Sequence, residues 1–253
     1  MDNKRLLSYI EADELKNTYS VYGSFYNIKQ SDGECIPCRN VLDIIADKRE
    51  KTLNNNFAIP LLYGKIPEVY FCMMNPGSSE PQPTKVERYN GPPEYDMDED
   101  LPKKILQTPM VSAKPDTTQY MVMNVMKYTN LKHVRVINLS DIREPKSKNF
   151  VEKINGFYLI HKNHIHSIFD PLRQKELQIA LGNEMKIPVV AAWGKNRKYL
   201  DLIHLCKKGI VGTDCHGLFD DKKKLLAKHP LPPDWNKQMV WLADMVELLK
   251  SKL

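Results

Sequence analysis

Val69-Tyr70-Phe71-Cys72-Met73-Met74-Asn75-Pro76-Gly77-Ser78-Ser79 is an unbroken apolar run that stops at a small polar turn. A continuous run of this kind suits a strand buried on both faces, and Asn-Pro-Gly-Ser-Ser then obliges the chain to turn where the strand ends. Polar groups are thereby presented at a carboxyl edge. In open parallel α/β sheets ligands bind along that edge, which makes Asn75 a working residue rather than a packing one. An ordinary strand-to-loop turn accounts equally for the motif taken alone, so its meaning depends on what the rest of the chain brings to it.

Residues 134–139, 188–193 and 209–213 share its character: short, β-branched or aromatic, and ended by polar residues or glycine. Helical stretches at about 116–129, 150–169 (interrupted or bent), 173–185, 195–207 and 235–250 separate or follow them. Alternating strand and helix implies parallel strands joined by right-handed crossovers. The expected fold is therefore α/β, a three-layer α/β/α domain around a central four-stranded parallel sheet. It would span 61–253, preceded by a helical or irregular extension over 1–60 in which Leu6, Ile10 and Leu15 fall on helical spacing and Val41-Leu42-Asp43-Ile44-Ile45 forms a short apolar face. Residues 80–115 carry seven prolines and the acidic cluster Glu94 to Asp100. A segment that long between a strand and its helix reads as the lip of a site.

Composition narrows the classes. No segment approaches the roughly 18 apolar residues of a membrane span, and five cysteines in 253 residues suit reduced thiols rather than a disulfide framework. A cytoplasmic protein with no membrane partner is expected. The net charge of +6 is compatible with phosphate-bearing partners without establishing them. Its basic residues gather in expected loops, at Arg143, Lys146 and Lys148, at Lys195 to Lys198, and at Lys222, Lys223, Lys224 and Lys228. A solvated face is the plainer account of such a cluster.

Three strand ends converge in this scheme: Asn75-Pro76-Gly77 after the first, Asn138-Leu139-Ser140-Asp141-Ile142-Arg143-Glu144-Pro145 after the second, and Lys228-His229-Pro230-Leu231-Pro232-Pro233 after the fourth. With these motifs the chain resembles the uracil-DNA glycosylase superfamily over roughly residues 67–250. The run ending Asn75-Pro76-Gly77 is similar to the first motif of its mismatch-specific branch, the run through Asn138 to the strand whose asparagine reads the extruded base, Val189 to Gly194 to the third strand, and His229-Pro230-Leu231-Pro232 to the His-Pro-Ser-Pro-Leu loop. The same order of motifs is also similar to bacterial proteins carrying the DUF1643 domain.

The resemblance implies a uracil-DNA glycosylase-like fold and a DNA glycosylase that acts as a monomer, with no cofactor and no metal, on single- or double-stranded DNA. Asn75 would orient the attacking water through its side-chain carbonyl, and His229 would donate to the departing base. Pro76, Gly77, Ser78 and Asn138 would shape the base pocket, with Tyr89, or else Tyr95, as stacking platform. Arg143, Lys228 and Lys222 to Lys224 would hold phosphates, and Leu231 between Pro230 and Pro232 would wedge the duplex; anchoring the last helix is the rival role for Leu231. Strict uracil enzymes carry a tyrosine two positions after the catalytic residue, whereas this chain has Gly77. That departure favours a mismatched or modified pyrimidine over plain uracil, in repair or in anti-phage defence.

Cys35-Ile36-Pro37-Cys38 is spaced like half of a metal site, but the turn after the second strand has no cysteine, and Cys215-His216 would complete a set only if the fold brought them together. Cys72 reads as a core thiol. His161, His164 and His166 suit satisfied surface or core roles better than ligation, and no glycine-rich phosphate loop follows any strand. Two other readings stay open: a nucleic-acid or nucleotide-binding protein without catalysis, and a hydrolase of free nucleosides or nucleotides.

Overall fold

The computed structural model describes residues 7–46, 66–83, 89–182, 187–220 and 222–253. Its spine is β3 (Val69–Met73), flanked by β7 (His133–Asn138) and β8 (Val189–Ala191), with β9 (Cys215–Gly217) outside β8; every pairing in this half is parallel. Alternate residues of β3 serve opposite layers, as the pleat requires. Tyr70 and Cys72 join one apolar cluster with α2 (Leu101–Leu106), α4 (Ser147–His161), α5 (Gln174–Leu181) and α6 (Leu200–Gly209). Val69, Phe71 and Met73 join the other, with α1 (Ala12–Thr18), α3 (Thr117–Thr129) and α7 (Trp235–Lys250). Helices on both faces of a sheet are thus present, and the mixed α/β class holds.

The four-stranded parallel sheet is a correction. Among the described residues the sheet has nine strands, because β2 (Cys35–Ile45) pairs antiparallel with β7 and extends it through β1 (Ser20–Lys29), β6 (Met110–Lys114) and β4 (Glu80–Pro81), with β5 (Glu94–Asp96) parallel to β1. Residues 20–45 are therefore a hairpin inside the sheet, not helical or irregular structure. Its turn is built on Asp32-Gly33: Glu34 N–H donates to Asp32 Oδ1 at 2.9 Å, and Gly33 has φ +87°. The expected boundary at 60–61, like Leu6, lies outside the described residues. Between residues 80 and 115 the described chain forms three short strands and α2 rather than one long loop.

Residues 209–213 are not a strand. They end α6 and turn, with Gly212 at φ +93° and Val211 exposed, while Ile210 stays buried. A left-handed glycine between two β-branched residues breaks the extended backbone that their side chains favour. The fourth parallel strand is β9 instead. The helix expected over 150–169 stops at His161, where Lys162 takes a left-handed conformation and its N–H closes on Tyr158 O.

Candidate functional site

Two residues beyond the end of β3, Asn75 is tied by its side chain to the turn that follows β7. Its Nδ2 donates to Ile142 O at 3.2 Å and to Glu144 O at 2.7 Å. Both amide hydrogens are thereby used, so the side-chain carbonyl Oδ1 is left as an acceptor. That turn is itself rigidly held. Asp141 Oδ2 accepts from Arg173 Nη1 at 2.6 Å and from the Tyr26 hydroxyl at 2.8 Å, and Asp141 O accepts from Arg39 N at 2.8 Å. Arg173 also forks onto Glu176 at 2.8 and 2.9 Å, placing one guanidinium between two fully desolvated carboxylates. Burial pushes the Asp141 carboxyl up to about 6 against the pull of Arg173. His166, fully buried, contributes Nδ1 to Ser140 Oγ at 2.9 Å and its carbonyl to Asp141 N at 2.7 Å, a positioning role within this turn.

His229 reaches the same edge from the loop after β9. The Leu231 N–H donates to His229 Nδ1 at 3.1 Å, which makes Nδ1 the acceptor and puts the proton of the neutral ring on Nε2. Burial holds the imidazole down to about 4, so this form persists at neutral pH. The loop is pinned on both sides, with Trp193 Nε1 donating to Leu225 O at 2.8 Å, Trp241 Nε1 to Lys228 O at 3.2 Å and Gln238 Nε2 to Pro232 O at 2.8 Å. A Cβ on Gly194, just beyond β8, would lie 3.9 Å from His229 Cβ, so the ring packs beside that turn.

Asn75 and His229 line one cavity of about 300 Å³, together with Pro76, Gly77, Ser78 and Leu231. Arg39, Asp116, Gln119 and Val136 complete much of its wall. A second hollow of about 700 Å³ adjoins it, lined by Trp193, Tyr199, Lys228, Pro232 and Trp241, and shares Met74, Pro145, His229 and Leu231 with the first. Gly77 has φ +60° and its Cβ position lies 3.5 Å from Asp116 Oδ2, so any side chain there would be strained and would face the α3 terminus. Asn138 sits opposite Met73 in register, two residues past Val136 on its strand. It is fully buried, and neither atom of its amide has a hydrogen-bond partner.

The remaining expected residues are less closely gathered. Lys228 and Pro232 line only the larger hollow, and Pro230 is buried without lining either. Leu231 is no projecting tip; it is partly buried and packs on the apolar layer of α3 and α7. Lys222, Lys223 and Lys224 are exposed and line neither hollow. Arg143 lies over the Phe25 ring at 5.6 Å, and burial lowers its pKa. Tyr89 lines neither hollow; its hydroxyl lacks a partner, and burial pushes it up to about 12. Tyr95 stacks on Tyr26 at 6.0 Å in the opposite layer, away from the cavity. Cys35 is exposed and Cys38 buried, Cys72 lies 3.5 Å from Cys206 in the core, and among the described residues no group of three His, Cys, Asp or Glu is placed to hold a metal.

Arg39, Asp116 and Gln119 enter the site without having been expected there. Asp116 announces itself only as a helix cap, its Oδ1 accepting from Gln119 N at 2.9 Å. Arg39 had a weak signal, a cation set within the apolar strand Cys38 to Ile45. Comparison of the chain with protein families, with curated proteins and with solved structures finds no match.

Proposed function

We propose that the protein is a DNA glycosylase that hydrolyses the N-glycosidic bond of a flipped-out, modified or mismatched pyrimidine nucleotide. One observation carries this reading: a side-chain acceptor with its donors spent, Asn75 Oδ1, and a neutral imidazole donor, His229 Nε2–H, line the same small cavity at the carboxyl edge of the parallel strands. Hydrolysis needs both. Water adds to the anomeric carbon as the carbon–nitrogen bond breaks, and the bonding pair leaves on the base. Asn75 Oδ1 orients that water by accepting one of its hydrogens, and the proton released passes to solvent because an amide does not hold it. His229 donates to the oxygen of the base on which negative charge grows, the preorganised kind of stabilisation that costs no rearrangement at the moment of reaction. Asn138, fully buried with both amide atoms unused, lines neither hollow. Gly77 leaves the cavity wall open for a 5-substituent.

Extraction of the nucleotide from a duplex costs a few kcal/mol, least where the base is damaged or mispaired. Abasic-site formation on single- and double-stranded DNA carrying uracil, thymine opposite guanine, and 5-modified pyrimidines tests the proposal. Base release that Asn75→Ala abolishes is the expected result; no release from any of these DNAs by the native chain rejects it. A hydrolase of free nucleotides is the second reading, favoured by the position of Lys222 to Lys224 away from both hollows. Cleavage by that enzyme would change little with salt, whereas an enzyme that neutralises several DNA phosphates loses affinity steeply.

A further inference from the structure

Arg39 is 2% exposed, yet its Nε and Nη1 have no hydrogen-bond partner although the residue lines the 300 Å³ cavity. A buried guanidinium short of acceptors is costly, so its persistence needs a reason beyond packing. Gln119, also 2% exposed, lines the same cavity with Oε1 unpartnered. Beside them Asp116 keeps Oδ2 toward Gly77 while Oδ1 caps α3. One wall therefore offers guanidinium N–H donors next to side-chain acceptors. A phosphate fits this badly, having no N–H for Gln119 and being repelled by Asp116.

We infer that Arg39 and Gln119 read the hydrogen-bonding edge of the target pyrimidine, and that this edge is of the cytosine type. The inference rests on the pyrimidine reading above and names its substrate class. A guanidinium N–H needs an acceptor. Cytosine supplies one in N3, followed by the N4 amino group, which donates to Gln119 Oε1 or Asp116 Oδ2. Uracil and thymine place N3–H between their carbonyls and would aim a donor at the guanidinium. A 5-substituted cytosine therefore satisfies the wall, and a 5-substituted uracil leaves a buried donor facing a donor. Neither Arg39 nor Gln119 belongs to the strand-end motifs; β2 and α3 deliver them from the side.

Titration calorimetry of the full chain with free deoxycytidine and deoxyuridine tests this without requiring cleavage. A complementary donor and acceptor on one base edge discriminate by about 1–3 kcal/mol, so deoxycytidine should bind about 5-fold to 150-fold more tightly. Arg39→Met should bring the two within about 3-fold while raising the melting temperature, since a buried guanidinium short of hydrogen-bond acceptors has been removed. Gln119→Leu serves as the second variant and should weaken deoxycytidine alone. Equal or tighter binding of deoxyuridine, preference unchanged in Arg39→Met or Gln119→Leu, displacement by inorganic phosphate, or no binding of either nucleoside overturns the inference. Preference for deoxycytidine without base release from any DNA would keep this reader and remove the glycosylase. Base release with no such preference would do the reverse.

Discussion

The two halves of the sheet divide the work of the site unequally. The parallel half, β7-β3-β8-β9, ends in the turns that carry Asn75 and Gly194 and leads on to His229, groups suited to reacting atoms. The antiparallel half brings no such group, but it supplies Arg39, the Tyr26 hydroxyl on Asp141 and the backbone bonds that hold the turn after β7. The seam between them is β2 against β7, locked by Arg135 Nε and Nη2 on the two oxygens of Asp43 at 2.7 and 2.9 Å. In the proposed reaction, chemistry at one edge would depend on a neighbour that contributes alignment and selection. The comparison predicts that damage to the shared anchor outweighs damage to either edge.

Arg173→Met should have the largest effect. It leaves Asp141 and Glu176 buried without their cation, and breaking a buried pair by removing one partner costs about 3–5 kcal/mol. Denaturant unfolding should show the loss as a lower midpoint with unchanged slope; a cost under about 1 kcal/mol would mean that Arg173 does not anchor the turn after β7. Asn75→Ala comes next. Loss of an orienting group of this kind lowers turnover by about 100-fold to 1,000-fold, here with an unfolding midpoint close to that of the native chain because Asn75 is only partly buried. Asn75→Asp should not rescue it, since a carboxylate has no hydrogens for the carbonyls of Ile142 and Glu144 and would be repelled by them.

The same division explains what could be read from the residues beforehand. Strands β3, β7 and β8 are buried on both faces and so appear as apolar runs. Helix α7 is legible to its ends because Asp234 caps it through Lys237 N at 2.8 Å. The hairpin of β1 and β2 was hidden because Arg39, Asn40 and Asp43 interrupt its apolar pattern; each is buried, and Asn40 and Asp43 only because a partner distant in sequence meets it. Asp32-Gly33 is a hairpin signal at that turn, and the apparent polarity of the flanking strand masks it. That Asn75, Gly77, His229 and Leu231 come to line one cavity was legible because their turns follow strand ends. Arg39 and Gln119 were not, since a side chain's lack of partners exists only once the fold has enclosed it.

His229 gives a smaller effect with a definite sign. The folded imidazole is held near 4 while the unfolded one takes its proton near 6.5, so the native state loses stability as pH falls from about 6.5 toward 4 and is unaffected above that window. By pH 5 the term is about 1–2 kcal/mol. His133, His161, His164 and His166 stand elsewhere in the fold, so the informative quantity is the difference between native and His229→Asn melting temperatures at pH 7 and pH 5. A constant difference across that range would show the ring to be solvated, and the Nε2–H tautomer would lose its structural basis.

Leu231→Ala should have the smallest effect and the sharpest meaning for the division of labour. A wedge acts only on stacked bases, so its loss would slow release from duplex far more than from single strands. Leu231 instead packs against the layer of α3 and α7 and lines both hollows, walling the site from the parallel half as Arg39 walls it from the antiparallel half. Truncation should therefore cost about 1 kcal/mol of stability and lower cleavage of single- and double-stranded DNA by the same few-fold factor. A duplex-specific loss of about 10-fold or more would mean that the loop swings outward to meet DNA, and that the bond from Leu231 N–H to His229 Nδ1 breaks as it does so. Base extraction and orientation of the leaving-group donor would then be one movement, and the parallel edge would perform both.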